Sequence, residues 1–251
     1  MAIPKDYRGA ALRMTDAAIA RVAHQLGCDE DAIHAVLDVE ARGSGFDDRG
    51  RPAMLFEPQV FYRNLSGAKR DSAVRAGLAY PKWRKGYPKD SYPRLAAAVA
   101  IDAEAAHRSA SWGLSQILGE NCQEAGFRTA AEMVEACCAS EDRQMTMMAA
   151  VIRARGLHTA LRRRDWEAFA RSWNGSAYKE NAYDVRLAQR FAWWDKRPDT
   201  PWTPQMAAAE TVANDPAAPG VIFLPPASGY IAPPRLSFAA RVANWWNSIV
   251  A

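Results

Sequence analysis

Apolar residues recur every three or four positions along most of the chain before Arg197, and this spacing predicts a mainly α-helical protein. The first predicted helix begins at Thr15 or Asp16 and ends at Gly27, because hydroxyl and carboxyl side chains suit a helix start and glycine suits its end. Its apolar face carries Ile19, Val22, Ala23 and Leu26. Further helices are predicted to start near Pro58, Ala96, Thr129 and Ser140.

The second predicted helix begins after Asp29, runs to about Arg42 and packs against the first helix. Three apolar residues precede Glu40 by seven, four and three positions, namely Ile33, Val36 and Leu37. Glu40 therefore falls on the buried face. A carboxyl group there either pairs with a cation such as Arg42 or is kept protonated by desolvation. A protonated carboxyl group near neutral pH is what a general acid requires, and Glu40 alone leaves both alternatives open.

A glycine-rich corner and a β-hairpin are predicted directly after this helix. Residues 43–45 allow a sharp bend, residues 48–51 have turn composition, and residues 53–56 form a short strand that ends at Glu57. An acid on a helix that faces a carboxylate on a hairpin is the arrangement that glycoside hydrolysis requires.

Three residues are candidates for the second carboxylate. Glu57 is the best placed, and Asp47 and Asp48 on the first arm are its rivals. Whether the anomeric configuration is retained or inverted depends on the distance between the two carboxylates, so it stays open at this point.

The segment VEARGSGFDDRGRPAMLFEPQVFYRNL, residues 39–65, is similar to the N-acetylmuramidase family of phage endolysins. That family belongs to the lysozyme-like superfamily, together with goose-type lysozymes and lytic transglycosylases. The resemblance implies a lysozyme-like helical domain with a small β-hairpin, in which Glu40 is the general acid.

Residues 112–117, WGLSQI, resemble the GLMQ-type motif that lines the cleft beside the catalytic glutamate in this superfamily. The resemblance implies that Trp112, Gly113 and Gln116 contact substrate. Gly113 has no side chain that would block a ligand, and Gln116 offers both a hydrogen-bond donor and an acceptor.

Trp173-Asn174-Gly175 resembles the Tyr-Asn-Gly motif that closes the same cleft, which implies Trp173 and Asn174 as further substrate-binding residues. Tryptophan replaces the usual tyrosine, so a hydroxyl contact is not expected at that position. The resemblance spans about residues 10–196, and its three motifs occur in the order that the superfamily has.

Four aromatic residues lie in a segment rich in proline and basic residues, 78–95: Tyr80, Trp83, Tyr87 and Tyr92. They either form a rim on which sugar rings stack, with the basic residues near peptide-stem carboxylates, or fix a surface loop to the core.

Composition adds few constraints. The chain has 251 residues and a net charge of +4, which suits an anionic polymer, and it has no nucleic-acid-binding motif. The four cysteines have no disulfide or zinc spacing, and the four histidines have no metal-ligand pattern. We therefore expect reduced thiols, no metal and no cofactor.

The N-terminal segment has no apolar run long enough for a secretory signal or a membrane span. We expect a monomer made in the cytoplasm that reaches the cell wall after release of the holin type that phage endolysins use. Delivery as a secreted toxin against competing cells is an alternative.

The composition changes after Arg197, because residues 198–234 hold nine of the fifteen prolines. We therefore predict a catalytic domain over residues 1–197 and a linker with a short amphipathic helix over 198–251. The apolar face of that helix carries Phe238, Val242, Trp245 and Ile249. It either docks on the catalytic domain, contacts a membrane or packs against a partner chain.

The predicted activity is hydrolysis of the β-1,4 bond between N-acetylmuramic acid and N-acetylglucosamine in the glycan strands of peptidoglycan. Two alternatives remain. A lytic transglycosylase of the same fold needs only one acid and leaves anhydro-muramic ends, whereas a non-catalytic cell-wall-binding module binds sugar without turnover.

Overall fold

The computed structural model describes residues 2–41 and 43–203. These residues form eleven α-helices and one small antiparallel sheet, which confirms the predicted mainly α fold with a minor β element. The helices are α1 (Asp16–Leu26), α2 (Glu30–Glu40), α3 (Pro58–Asn64), α4 (Gly67–Arg75), α5 (Tyr92–Val99), α6 (Ala103–Arg108), α7 (Ala130–Ala139), α8 (Glu141–Ala154), α9 (His158–Arg162), α10 (Trp166–Asn174) and α11 (Tyr183–Trp194). The strands are β1 (Met54–Phe56), β2 (Ala110–Trp112) and β3 (Ile117–Leu118).

The first two helices pack against each other as predicted, and α2 also packs against α11. The Thr15 hydroxyl accepts a hydrogen bond from the backbone N–H of Ala18, and Gly27 ends α1 in the left-handed conformation. Asp29 precedes α2, but its carboxylate accepts hydrogen bonds from Arg164 and caps no backbone amide. The helix thus begins after Asp29 as predicted, but the Asp29 side chain does not cap it.

The predicted hairpin between the second and third helices is only partly formed. Residues 46 and 52 form a single antiparallel bridge across the turn. The strand after it, β1, pairs with β2, so that Met54 lies opposite Trp112 and Phe56 opposite Ala110. Strand β2 then pairs with β3 through a tight turn, which means that the WGLSQI motif is a β-hairpin.

The methionine-rich face of α8 lies in the core, where Met145, Met148, Val151 and Ile152 are buried. All four cysteines are free thiols, and three of them are buried. Burial raises the pKa of the Cys28 and Cys138 thiols to about 12, so both thiols stay protonated.

Two aromatic residues of the proline-rich segment fix it to the core. Tyr87 and Tyr92 are buried, and the Tyr92 hydroxyl donates a hydrogen bond to the carbonyl oxygen of Pro52 at 2.7 Å. Tyr80 and Trp83 are half-buried. The core-anchoring alternative thus describes two of the four residues, whereas contact with sugar by the other two stays a prediction.

The chain continues along the domain after α11. Thr200 donates hydrogen bonds from its backbone N–H and its hydroxyl to Glu30, at 3.0 and 2.6 Å, and the Trp202 ring lies 5.3 Å from that of His24. The predicted amphipathic helix near the C-terminus lies outside the described residues. None of the described helices is long and apolar enough to cross a membrane.

Candidate active site

Glu40 is the last residue of α2, and only 6% of its surface is exposed, as its position on the apolar face predicts. The side-chain amide of Asn174 donates a hydrogen bond to Glu40 Oε1 at 2.9 Å. Asn174 is fully buried at the end of α10, where Gly175, with φ of 82°, lets the chain turn away. Two residues singled out in separate motifs are therefore in direct contact.

Glu57 directly precedes α3 and is 2% exposed. Its Oε1 accepts a hydrogen bond from the Ser111 hydroxyl at 2.9 Å, and its Oε2 accepts one from the Gln59 amide at 2.8 Å. Its backbone N–H donates to the Ser109 carbonyl, which extends the pairing of β1 with β2. Sequence and fold thus bury a second carboxylate that is held by two side-chain donors.

The two rivals of Glu57 occupy the turn between residues 46 and 52. Asp47 accepts hydrogen bonds from the backbone N–H groups of Arg49 and Arg51 at 2.9 Å, and it pairs with the Arg51 guanidinium at 2.7 Å. Asp48 is exposed at the tip of the turn. The structure therefore gives Asp47 a role in the turn and leaves Glu57 as the buried candidate.

The WGLSQI motif is built differently from the expectation. Trp112 is 2% exposed, and its Nε1 donates to the carbonyl oxygen of His107 at 3.1 Å. Gly113 has φ of 70°, and a Cβ atom on it would lie 2.7 Å from Cys137 Sγ and 2.8 Å from Gln144 Cδ. The glycine therefore makes room for neighbouring side chains, and contact between Gly113 and substrate stays a prediction.

The Gln116 amide nitrogen also serves the hairpin, since it donates to the carbonyl oxygens of Gly113 at 2.8 Å and Ala53 at 3.1 Å. Trp173 is 4% exposed and stacks on Phe169 with a centroid distance of 5.9 Å. Like Trp112, Trp173 belongs to the core. Among the residues that the resemblance implied for substrate binding, Asn174 is the one that the structure brings to a candidate catalytic carboxylate.

Sequence reasoning missed two residues of α8 that organise the site. The Gln144 side chain accepts from the Leu114 N–H at 2.7 Å and donates to the carbonyl oxygens of Gly45 and Cys137 at 3.2 and 2.9 Å. It thereby joins the corner after Glu40 to the WGLSQI turn. The sequence signal that was available for Gln144 and for the second residue, Glu141, is a polar side chain among the apolar residues of α8.

Glu141 holds the same corner from its other side. Its carboxylate accepts hydrogen bonds from the backbone N–H groups of Gly45 at 2.7 Å and Met14 at 2.9 Å. The Arg13 guanidinium and the Ser44 hydroxyl also donate to it, both at 3.1 Å. The glycine-rich corner is therefore fixed by side chains that are about a hundred positions away in sequence.

Residues 29–195 match the sequence model of the Muramidase family, described as N-acetylmuramidase. The chain belongs to the N-acetylmuramidase family. Four chains of solved structures match it. One is the crystal structure of the Burkholderia AP3 phage endolysin, which is 36% identical over 74% of this chain and 73% of that chain, with a TM-score of 0.69. A comparison with curated proteins finds no match.

The N-acetylmuramidase assignment makes the protein a peptidoglycan-degrading muramidase, and the structural match confirms its lysozyme-like fold. The family match and the structural match together confirm the family resemblance inferred from the three motifs. Glu40, Glu57 and Asn174 all lie within the matched residues. Among residues 2–41 and 43–203, no group of three His, Cys, Asp or Glu side chains is arranged to hold a metal ion.

Proposed function

We propose that this muramidase hydrolyses the β-1,4 bond between N-acetylmuramic acid and N-acetylglucosamine, with Glu40 as general acid and Glu57 as second carboxylate. The observation that carries the proposal is the 2.9 Å hydrogen bond between Asn174 and Glu40, which joins two motifs at a buried carboxyl group. The proposal requires no cofactor.

In this mechanism Glu40 protonates the glycosidic oxygen as the bond to the sugar breaks. Asn174 donates to Oε1, which favours the acidic proton on Oε2 and fixes the rotation of the carboxyl group. Such fixing is useful because a general acid must lie within hydrogen-bond reach of the leaving oxygen.

Glu57 either activates the attacking water or supports the positive charge on the sugar. The Ser111 hydroxyl and the Gln59 amide both donate hydrogen bonds to its carboxylate. Donors stabilise a carboxylate in its ionised form, which is the form that either role needs.

The test replaces Glu40 by Gln, which preserves the size of the side chain and its contact with Asn174. General acid catalysis contributes about a hundredfold to ten-thousandfold, so we expect a loss of that size in the rate of peptidoglycan hydrolysis. Released muropeptides are identified by mass spectrometry with and without borohydride reduction. Reducible N-acetylmuramic acid ends, absent with Glu40→Gln, support the proposal.

The matched control is Asp48→Asn, which makes the same chemical change at the exposed turn. This variant is expected to keep wild-type activity. If Asp48→Asn abolishes hydrolysis while Glu57→Gln does not, the second carboxylate is Asp48. Substantial activity in Glu40→Gln would exclude Glu40 as the acid.

A lytic transglycosylase is the second candidate, and the burial of Glu57 favours it. A side chain that is 2% exposed has little room for a water molecule beside it. A transglycosylase does without that water, because a hydroxyl of the sugar itself attacks. Anhydro-muramic products that persist in Glu57→Gln would establish this activity. Sugar binding without any product would instead indicate a cell-wall-binding module.

For the cellular setting we propose action on the cell wall in the periplasm after release of the holin type. The similarity to a phage endolysin supports this setting over delivery as a toxin. The muramidase is expressed in bacteria with and without a holin to distinguish the two. Lysis that occurs only when the holin is co-expressed supports release of the phage type.

A further inference from the structure

A groove of about 700 Å³ lies between α3, α4 and the loop that follows α4. Its walls include three arginines, Arg70, Arg75 and Arg84, and none of them belongs to the candidate active site. We propose that this groove binds the peptide stem of peptidoglycan through the stem's carboxylates. The inference rests on the proposed function, because it assigns the groove to the same polymer that Glu40 cleaves.

Arg70 is held in place from within the protein. Its Nε donates to the carbonyl oxygens of Tyr62 at 3.1 Å and Leu65 at 2.8 Å, and its guanidinium lies 4.8 Å from the centre of the Tyr62 ring. Its terminal nitrogens donate to none of the described residues. They are therefore positioned for an external acceptor, and a carboxylate matches the geometry of a guanidinium.

Arg75 and Arg84 are exposed, and neither forms a hydrogen bond or an ion pair with any residue in the described part of the chain. Arg84 lies over the Tyr80 ring at 4.5 Å, which orients it without using its N–H groups. The groove thus presents three cations whose terminal guanidinium nitrogens remain available to a ligand.

The other walls fit a short peptide better than a polyanion. Val74 is 44% exposed on α4, and the half-buried Tyr62 ring adds a second apolar surface, as contacts for alanine methyl groups require. Asp71 is the acidic residue among the described wall residues, and it suits the free amino group of a diamino acid. A stem peptide carries carboxylates, methyl groups and such an amino group together.

A chain of hydrogen bonds links the loop beside the groove to the candidate active site. The Tyr87 hydroxyl, from the same loop as Tyr80, donates to Gln59 at 3.2 Å, and Gln59 in turn donates to Glu57. Burial raises the pKa of Tyr87, and the nearby charges of Glu57 and Tyr80 raise it further. One loop therefore lines the groove and contacts Gln59, the residue that donates to the proposed second carboxylate.

Binding is tested with the full chain carrying Glu40→Gln, so that no cleavage interferes. The probe is the tripeptide L-alanyl-γ-D-glutamyl-meso-diaminopimelate, titrated by calorimetry beside the same peptide with amidated carboxyl groups. We expect the amidated peptide to bind at least tenfold more weakly. The double variant Arg75→Ala with Arg84→Ala should lose at least tenfold affinity for the acidic peptide.

A matched control removes two other exposed arginines, Arg163 and Arg171, and should change affinity by less than twofold. Arg70 is left intact because it holds the end of α3. Near-UV circular dichroism and melting temperature confirm that each variant is folded. Equal affinity for both peptides, or equal loss in the control, overturns the proposal. The proposal is also overturned if the Arg75→Ala, Arg84→Ala variant loses binding to phosphatidylglycerol vesicles but keeps binding to the peptide.

The catalytic consequence is measured with Glu40 intact, as the ratio of rates on intact peptidoglycan and on glycan stripped of its peptides. The Arg75→Ala, Arg84→Ala variant should lower this ratio about tenfold. An unchanged ratio contradicts the groove assignment alone. A wild-type protein that cleaves neither substrate contradicts the proposed function instead, while the peptide titration still tests the groove.

Discussion

The contact between Asn174 and Glu40 joins side chains that are 134 positions apart in the sequence. Both residues were recognisable from their motifs, because a glutamate on an apolar helix face and an asparagine before glycine are local signals. Their contact was not predictable, because it depends on how the ends of α2 and α10 meet. The structure therefore adds a relation between two residues that were already candidates.

Replacing Asn174 by Ala removes one donor to Glu40 and with it a restraint on the orientation of the acid. We expect kcat for peptidoglycan hydrolysis to fall about tenfold to a hundredfold, which corresponds to about 1.4 to 2.7 kcal/mol in the barrier. KM should change little, since the lost contact is with the acid. Asn181→Ala, at an exposed asparagine, serves as the control. A raised KM with unchanged kcat would show that Asn174 binds substrate only.

Ser111→Ala tests the support of Glu57. Loss of the 2.9 Å hydrogen bond should lower kcat about tenfold and shift the pH–rate profile, because one donor to the carboxylate is gone. Ser115→Ala is the control, since the Ser115 hydroxyl is buried and has no partner among the described residues. Its removal should leave both kcat and the profile unchanged. An equal effect of the two substitutions would count against a specific role of Ser111.

Gly113 shows what a sequence leaves open about a single residue. The glycine was correctly singled out as a position where a side chain is excluded. However, the excluded volume belongs to Gln144 and Cys137, which lie on other elements. A sequence identifies the residue type that a site tolerates, whereas the neighbour that imposes the restriction is known only from the fold.

At the scale of elements, the sheet was the least predictable part. Strand β1 was expected and is present, but its partner β2 lies more than fifty residues later. Strands of two or three residues carry too little periodicity to identify a partner. Helices α1, α2 and α8 were predictable because each has a periodic apolar face, and the hydroxyls of Thr15 and Ser140 cap α1 and α8.

Helix α8 supports the site through Gln144, so we expect a substitution at Gln144 to lower both the stability and the activity of the protein. Gln144→Leu keeps the side-chain size but removes the acceptor of the Leu114 N–H and one donor to each of the carbonyl oxygens of Gly45 and Cys137. Gly45 keeps its hydrogen bond from the Ala53 N–H. We expect the free energy of unfolding, measured by urea denaturation, to fall by about 3 kcal/mol. Activity should fall as well, although Gln144 is not proposed to touch substrate.

The control for this prediction is Thr146→Ala, two positions along the same helix. Among the described residues, the Thr146 hydroxyl bonds only to the carbonyl oxygen of Asp142 in its own helix, so the expected loss is below about 1 kcal/mol. If both variants lose the same stability, the connection made by Gln144 is not what stabilises the corner.

At the scale of the whole molecule, buried His107 makes stability depend on pH. Burial lowers its pKa from 6.5 to about 4, and its Nε2 lies 2.9 Å from the Tyr7 hydroxyl, whose own pKa is raised to about 12. The unfolded chain therefore binds a proton that the folded chain does not bind between these two pH values. Stability should fall by up to about 3 kcal/mol as the pH drops from 6.5 to 4.

His107→Gln provides the comparison, because an amide can bond to Tyr7 but does not titrate in this range. Melting temperatures measured from pH 7 to pH 4 should decline less in the variant than in the wild type. Parallel curves would mean that other groups dominate the acid sensitivity.

The sequence placed the end of the catalytic domain at Arg197, where the proline content rises. The described chain maintains contact with the domain beyond this point, through Thr200 and Trp202. Composition marks the start of a proline-rich segment, but it does not show how far such a segment follows the surface.

The two hydrogen bonds from Thr200 to Glu30 also provide a path by which force on the chain after α11 can reach α2. Glu30 is the first residue of α2 and Glu40 is the last, so the attachment point lies about 15 Å from the proposed acid along one rigid rod. A load applied to the C-terminal part of the chain, by a fused protein or a solid support, is transmitted to the helix that carries Glu40. Immobilisation through the N-terminus should therefore disturb catalysis less than immobilisation through the C-terminus.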